Sequence, residues 1–156
     1  MNWTAQNVVY GRTFVNTILA AFAAAPLAEL IDTAKIRLSQ NPAFAPDPDS
    51  AIADLTPTEA DYSGYTAGGI AMVVSAPLNL GTDVQGTMSS VLFKATTATP
   101  FVSNTVYGWW IDDGTNLICG EAFPGGVNAL FGSINDFLQL DVVTPLPLYQ
   151  TTGITN

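Results

Sequence analysis

Three carboxylates and one thiol lie close together in the chain and are the side chains with the clearest chemical potential. Asp112 and Asp113 fall in the run Ile111-Asp112-Asp113-Gly114-Thr115-Asn116, and Cys119 and Glu121 follow it. Glycoside hydrolysis needs two carboxyl groups facing one bond, about 5–9.5 Å apart. Adjacent aspartates in a tight turn point apart, and no spacing sets Glu121 opposite them. A second acidic pair, Asp47 and Asp49, sits between prolines in Pro46-Asp47-Pro48-Asp49-Ser50. Calcium takes about six to eight oxygens, and with no third ligand nearby this pair reads as a solvated turn.

The chain has no histidine, and Cys119 is its one cysteine. The Ser-His-Asp and Cys-His arrangements and any His/Cys zinc cluster are thereby excluded. Gly114-Thr115-Asn116 lacks the lysine of a phosphate loop, and no Gly-rich nucleotide fingerprint occurs. The reading is therefore a non-enzyme with no catalytic residue, no metal site and no cofactor. Cys119 lies in an apolar run and reads as a buried, inert thiol. Trp109 and Trp110 could stack on a sugar, but strand alternation puts them on opposite faces, which favours packing and an oligomer contact.

These residues belong to a chain of 156 residues, enough for one domain that buries roughly 68–70% of its unfolded surface. Hydrophobic residues make up 48% and charged residues 11%, against about 25% in an ordinary soluble domain. Thirteen acids face four basic residues, Arg12, Lys35, Arg37 and Lys94, for a net charge of -9. Phosphate recognition needs clustered cations, so neither nucleic acid nor an anionic membrane surface is an expected partner.

The elements that must position these groups divide at residue 34. Residues 1–33 read as an N-terminal arm: Trp3, Val8, Val9 and Tyr10 are apolar, then Phe14, Ile18, Phe22 and Ala25 recur at helical spacing among alanines, with Pro26 as a break. Arg12 and the stretch ending at Ala25 imitate a signal peptide, but one late arginine is a poor basic region and the stretch is too short to span a bilayer. Residues 34–156 read as a β domain. Lys35 to Ser39 alternates like a half-buried strand, and Asn41 to Ser50 is a loop. Thr56-Pro57-Thr58-Glu59 has the residue types of a capping box, predicting a helical turn over 57–61. Gly64 permits a turn with Tyr62 and Tyr65 beside it. Strands are expected over 69–75, 87–95, 106–111, 117–123 and 137–143, the third and fourth joined as a hairpin by Asp112 to Asn116. The expected class is mainly β, an antiparallel sandwich or jelly roll preceded by a short Ala-rich helical arm.

The segment Ile52-Ala53-Asp54-Leu55-Thr56-Pro57-Thr58-Glu59-Ala60-Asp61-Tyr62-Ser63-Gly64-Tyr65 resembles a motif of small structural proteins of tailed bacteriophages. In those chains an Ala-Asp-Leu-Thr-Glu-Ala-Asp-aromatic-Ser-Gly-Tyr sequence connects a short N-terminal region to a β domain. Tyr107-Gly108-Trp109 and Glu121-Ala122-Phe123 are similar to later elements of the same proteins. The resemblance spans about residues 34 to 143, and this chain departs from it by the inserted Pro57-Thr58. It implies a virion component without catalysis, assembled in the host cytoplasm. A capsid cement or decoration protein bridging major capsid protein subunits is the expected role, with a tail, fibre-base or adaptor component and a carbohydrate-binding module as alternatives. The expected partners are the major capsid protein and copies of the chain itself, as a trimer. Trp3, Val9, Tyr10, Phe14, Ile18, Phe22 and Trp109 are the candidate interface residues, because an apolar arm exposed to water promotes association.

Overall fold

The computed structural model describes residues 1–4, 8–13, 34–72, 78–79, 83–85, 90–96, 101–125, 127–141 and 148–149. Thirteen strands occur among the described residues. The N-terminal pair is β1 (Asn2–Thr4) and β2 (Val9–Tyr10). After them come β3 (Lys35–Ser39), a short helix α1 (Ile52–Leu55) running into a 3-10 turn (Thr56–Thr58), and β4 (Ile70–Ala71). The central strands are β5 (Leu78–Asn79), β6 (Asp83–Gln85), β7 (Val91–Lys94) and β8 (Asn104–Val106). The last five are β9 (Gly108–Asp112), β10 (Leu117–Ala122), β11 (Ala129–Phe131), β12 (Phe137–Asp141) and β13 (Leu148–Tyr149).

The largest sheet runs β2-β10-β9-β3-β4 and is antiparallel throughout. Its organising strand is β3, where alternation works as expected: Lys35 is exposed while Ile36 and Leu38 are fully buried. Each of those two side chains contributes roughly 1.5–3 kcal/mol of burial. A second sheet runs β1-β12-β7, with β1 parallel to β12 and β7 antiparallel to it. Val91 and Phe93 from β7 and Leu138 and Leu140 from β12 join Ile36, Leu38, Trp109 and Ile111 in one apolar cluster. The smaller pairings are β11-β8 and β13-β6-β5.

The β9–β10 hairpin forms where the turn residues place it. Asp113 Oδ1 accepts from the amides of Thr115 (2.8 Å) and Asn116 (2.7 Å), and Gly114 adopts φ 91°, which an L side chain resists. The register slips between Leu117 and Cys119, an irregularity in the pairing of β10 with β9. Both faces of β9 are covered: Trp109 and Ile111 enter the large cluster, while Trp110 packs on the other side with Phe44, Leu55 and Leu117. The loop after β3 and the helix α1 thus form a lid over the sheet. Gly108 lies under that lid, where a Cβ would fall 2.4 Å from Phe44 and 2.6 Å from the Glu121 carbonyl.

Two expectations change, and two others fall wholly or partly outside the described residues. The first residues do not stand apart as an arm: β1 and β2 are hydrogen-bonded into the two sheets, across the division expected at residue 34. Parallel pairing to β12 satisfies backbone groups that an extended arm would leave to water. The helix expected from Phe14 onward, with Ile18 and Phe22, lies outside the described residues. Thr56 is not an N-cap: its hydroxyl donates to the Ile52 carbonyl (2.8 Å), and Glu59 turns away to a cation and a tyrosine. Thr56→Ala is therefore expected to shift stability by no more than about 0.5 kcal/mol, as at an ordinary surface position, and a urea titration checks it. Of the strand expected over 69–75, β4 is described, and residues 73–75 lie outside the described set.

Cys119 is 1% exposed, and burial raises its thiol well above the ordinary range. Thiolate is the reactive form. Maleimide labelling at neutral pH is expected to follow the unfolded fraction and reach completion only in denaturant. Rapid labelling of the native protein would contradict this burial.

Candidate functional site

The carboxylates singled out by sequence do not converge. Glu121 is fully buried and accepts hydrogen bonds from two indoles, Trp3 Nε1 at 2.9 Å and Trp109 Nε1 at 3.3 Å. Asp112, on the neighbouring strand, is 1% exposed and faces Arg37, whose Nη2 donates to Oδ1 (3.1 Å) while Nε lies 2.9 Å from Oδ2. Trp110 Nε1 (2.9 Å) and the Gly114 amide (2.9 Å) also donate to Asp112. Asp113 is engaged by its own turn. Each carboxylate therefore has a structural task, and no open pair of the glycosidase kind is left among them.

The Arg37 network was not legible in the sequence. Arg37 sits between Ile36 and Leu38, and its other arm donates to Glu59 (3.1 Å). Glu59 Oε1 in turn accepts from the Tyr65 hydroxyl (2.8 Å) and the Gly68 amide (2.8 Å). Burial alone would lower the Arg37 pKa, but the charges of Asp112 and Glu59 outweigh it and hold the guanidinium above its ordinary value. Burial, reinforced by the bond to Glu59, raises the Tyr65 phenol. The one signal available was an arginine, among four basic residues, inside an apolar strand.

Asp47 and Asp49 are exposed, as a solvated turn requires. Arg12 grips Asp49 through two hydrogen bonds, 2.6 and 2.7 Å, and raises a wall of a cleft of about 250 Å³ that also includes Thr115 and Asn116. The two charges neutralise each other, leaving the cleft without a free acid, base or cation at that wall. No group of three metal-ligating side chains occurs among the described residues.

Stability should depend on pH at both ends. Burial would raise the Asp113 pKa, but hydrogen bonds from Asn116 and Thr115 prevail and lower it. A depressed carboxylate stabilises the fold above the unfolded value near 3.9, and that contribution is lost as pH falls through the native value. The Tyr62 and Tyr65 phenols are raised by burial, so their contribution is complete below an unfolded pKa of about 10 and disappears as pH rises beyond it. The expected urea midpoint is flat from about pH 5 to 9 and falls on either side. An Asp113→Asn variant with an unaltered acid limb would remove Asp113 as a cause.

The aromatic candidates turn inward. Trp109 and Trp110 are both 0% exposed, so neither offers a face to a sugar or to another chain, and the interface role expected for Trp109 is corrected to internal packing. Trp3, Val9 and Tyr10 are half-buried, and the Trp3 ring lies 4.9 Å from Phe123. Phe14, Ile18 and Phe22 lie outside the described residues.

What the surface does display is a set of apolar side chains that sequence reading passed over. Leu92 is 55% exposed, Leu130 62%, Ile134 49% and Phe137 45%. Leu92 and Phe137 share the solvent face of the β7–β12 pair, with Gln139 as the cross-strand partner of Leu92 and Lys94 as that of Phe137. Leu130 and Phe137 line one cavity of about 240 Å³ beside that face. Alternation in β12 carried the signal, since burying Leu138 and Leu140 obliges Phe137 to face water. Comparisons with protein-family models, with curated proteins and with solved structures find no match to this chain.

Proposed function

We propose that this chain is a non-catalytic structural protein of a bacteriophage virion, a capsid cement or decoration protein that bridges and stabilises major capsid protein subunits. The observation that carries the reading is a division of labour in the fold. The polar groups suited to chemistry are engaged inside, in the Arg37–Asp112–Glu59 network and around Glu121. Large apolar side chains stand outside, on and beside the β7–β12 face. A protein so built acts by covering surface, and a shell repeats the same seam many times, so weak contacts sum through multivalency.

The bacteriophage assignment itself comes from the Ala53-to-Tyr65 motif, and its residues have connecting tasks that suit the resemblance. Glu59 holds Arg37 of β3, Tyr62 stacks on Phe131 at 3.9 Å, and Gly64 turns at φ 96° against Thr96. Two sheets that share one cluster support an antiparallel sandwich as the architecture.

Quantitative mass spectrometry of purified particles tests the role. The expected result is a copy number comparable to that of the major capsid protein, with shells lacking the protein breaking at lower temperature. A handful of copies would move the chain to the tail, fibre base or adaptor, and its absence from particles would overturn the reading.

A further inference from the structure

The solvent face of β7 and β12 carries opposite charges at its two ends. Arg12 pairs with Asp49 and Arg37 with Asp112 and Glu59, while Lys35 and Lys94 stand outside those ion pairs. Lys94 lies on this face, at the level of Phe137. At the other end lies Asp141, which accepts from Ser90 and Gln139. These hydrogen bonds lower its pKa and keep it charged. Lys94 and Asp141 are separated by the five residues of β12 from Phe137 to Asp141, about 13 Å along the strand. Leu92 and Gln139 pair midway between them.

We propose that this face is a self-association surface, on which a second copy docks across a two-fold axis at the level of Leu92 and Gln139, placing Lys94 of each copy against Asp141 of the other. A two-fold contact must be self-complementary, and a face with a cation at one end, an anion at the other and the exposed Leu92 beside Gln139 at its centre meets that condition. A basic partner would meet the repulsion of Lys94, and a uniformly acidic one that of Asp141. Two short strands cover less than the roughly 800 Å² per partner of a stable complex, so the contact is reversible in solution and gains strength when many copies are held on one scaffold. The choice of partner rests on the reading of the chain as a surface-covering protein.

Sedimentation equilibrium of the full chain up to about 1 mM is the test. The wild-type chain is expected to show a reversible doubling of mass, and Leu92→Asp to abolish it. Lys94→Asp should weaken association about tenfold, and adding Asp141→Lys should restore it. Association that persists in Leu92→Asp, fails to return in the charge swap, or is absent in the wild type would overturn the proposal. A Leu92→Cys variant treated with a short bismaleimide gives an independent reading, because Cys119 is buried: linked dimers are expected, and linkage no greater than at an exposed control cysteine would overturn the contact. Copy number in particles distinguishes the two proposals. Abundant copies with no self-association remove only this one, whereas self-association without copies in particles removes only the virion role.

Discussion

Arg37→Met is expected to lower the unfolding free energy by about 3–5 kcal/mol, the usual result of removing one partner from a buried ion pair. Asp112 is 1% exposed, and the Arg37 and Glu59 side chains are 12% and 11% exposed. Without the guanidinium, two carboxylates remain in the interior, still holding Trp110, Gly114, Tyr65 and Gly68 but with no cation between them. Against a total stability of about 5–15 kcal/mol, this is enough to unfold a marginal domain at physiological temperature. Arg37→Lys should be intermediate, since a single ammonium cannot reproduce the fork that reaches two acids. The neutral triple change, Arg37→Met with Glu59→Gln and Asp112→Asn, should recover much of the loss by keeping acceptors without the charge. Urea denaturation measures all three, and a loss below about 1 kcal/mol for the single variant would mean that the network is solvated.

Trp109→Ala is expected to cost about 3–5 kcal/mol, because the site is completely buried and truncation leaves a cavity in the main cluster. It also takes one of two indole donors from Glu121. Trp109→Phe isolates that second effect: the ring volume is largely kept, the N–H is lost, and about 1–3 kcal/mol should follow. Denaturant midpoints read both changes. Self-association should be unaffected wherever the variant remains folded. A Trp109→Ala protein with an unchanged midpoint but altered association would return Trp109 to the surface role that its position in the sequence suggested.

Local signals were reliable where the neighbouring residues alone set the outcome. The alternation of Lys35 to Ser39 appears as β3 with the bounds expected, and the Asp112-to-Asn116 turn closes the β9–β10 hairpin. The same alternation buries Leu138 and Leu140 and places Trp109 and Trp110 on opposite sides of their strand. The capping box failed for a physical reason. Glu59 could bond a nearby amide or join a half-buried guanidinium and a phenol, and the charge-assisted partners prevailed.

The sequence by itself determined the β-rich character and the two faces of β3, β9 and β12, because backbone geometry converts a two-residue period directly into sidedness. It also excluded histidine-dependent and cysteine-pair chemistry by composition alone. Tertiary structure decided which residues meet. Trp3 reaches Glu121, Arg37 reaches Asp112, and β1 aligns with β12 only after strands distant in the chain have paired. Those contacts depend on the order of strands in a sheet, which no local window contains, and they settled that the first tryptophan packs against the core while Leu92 and Phe137 face outward.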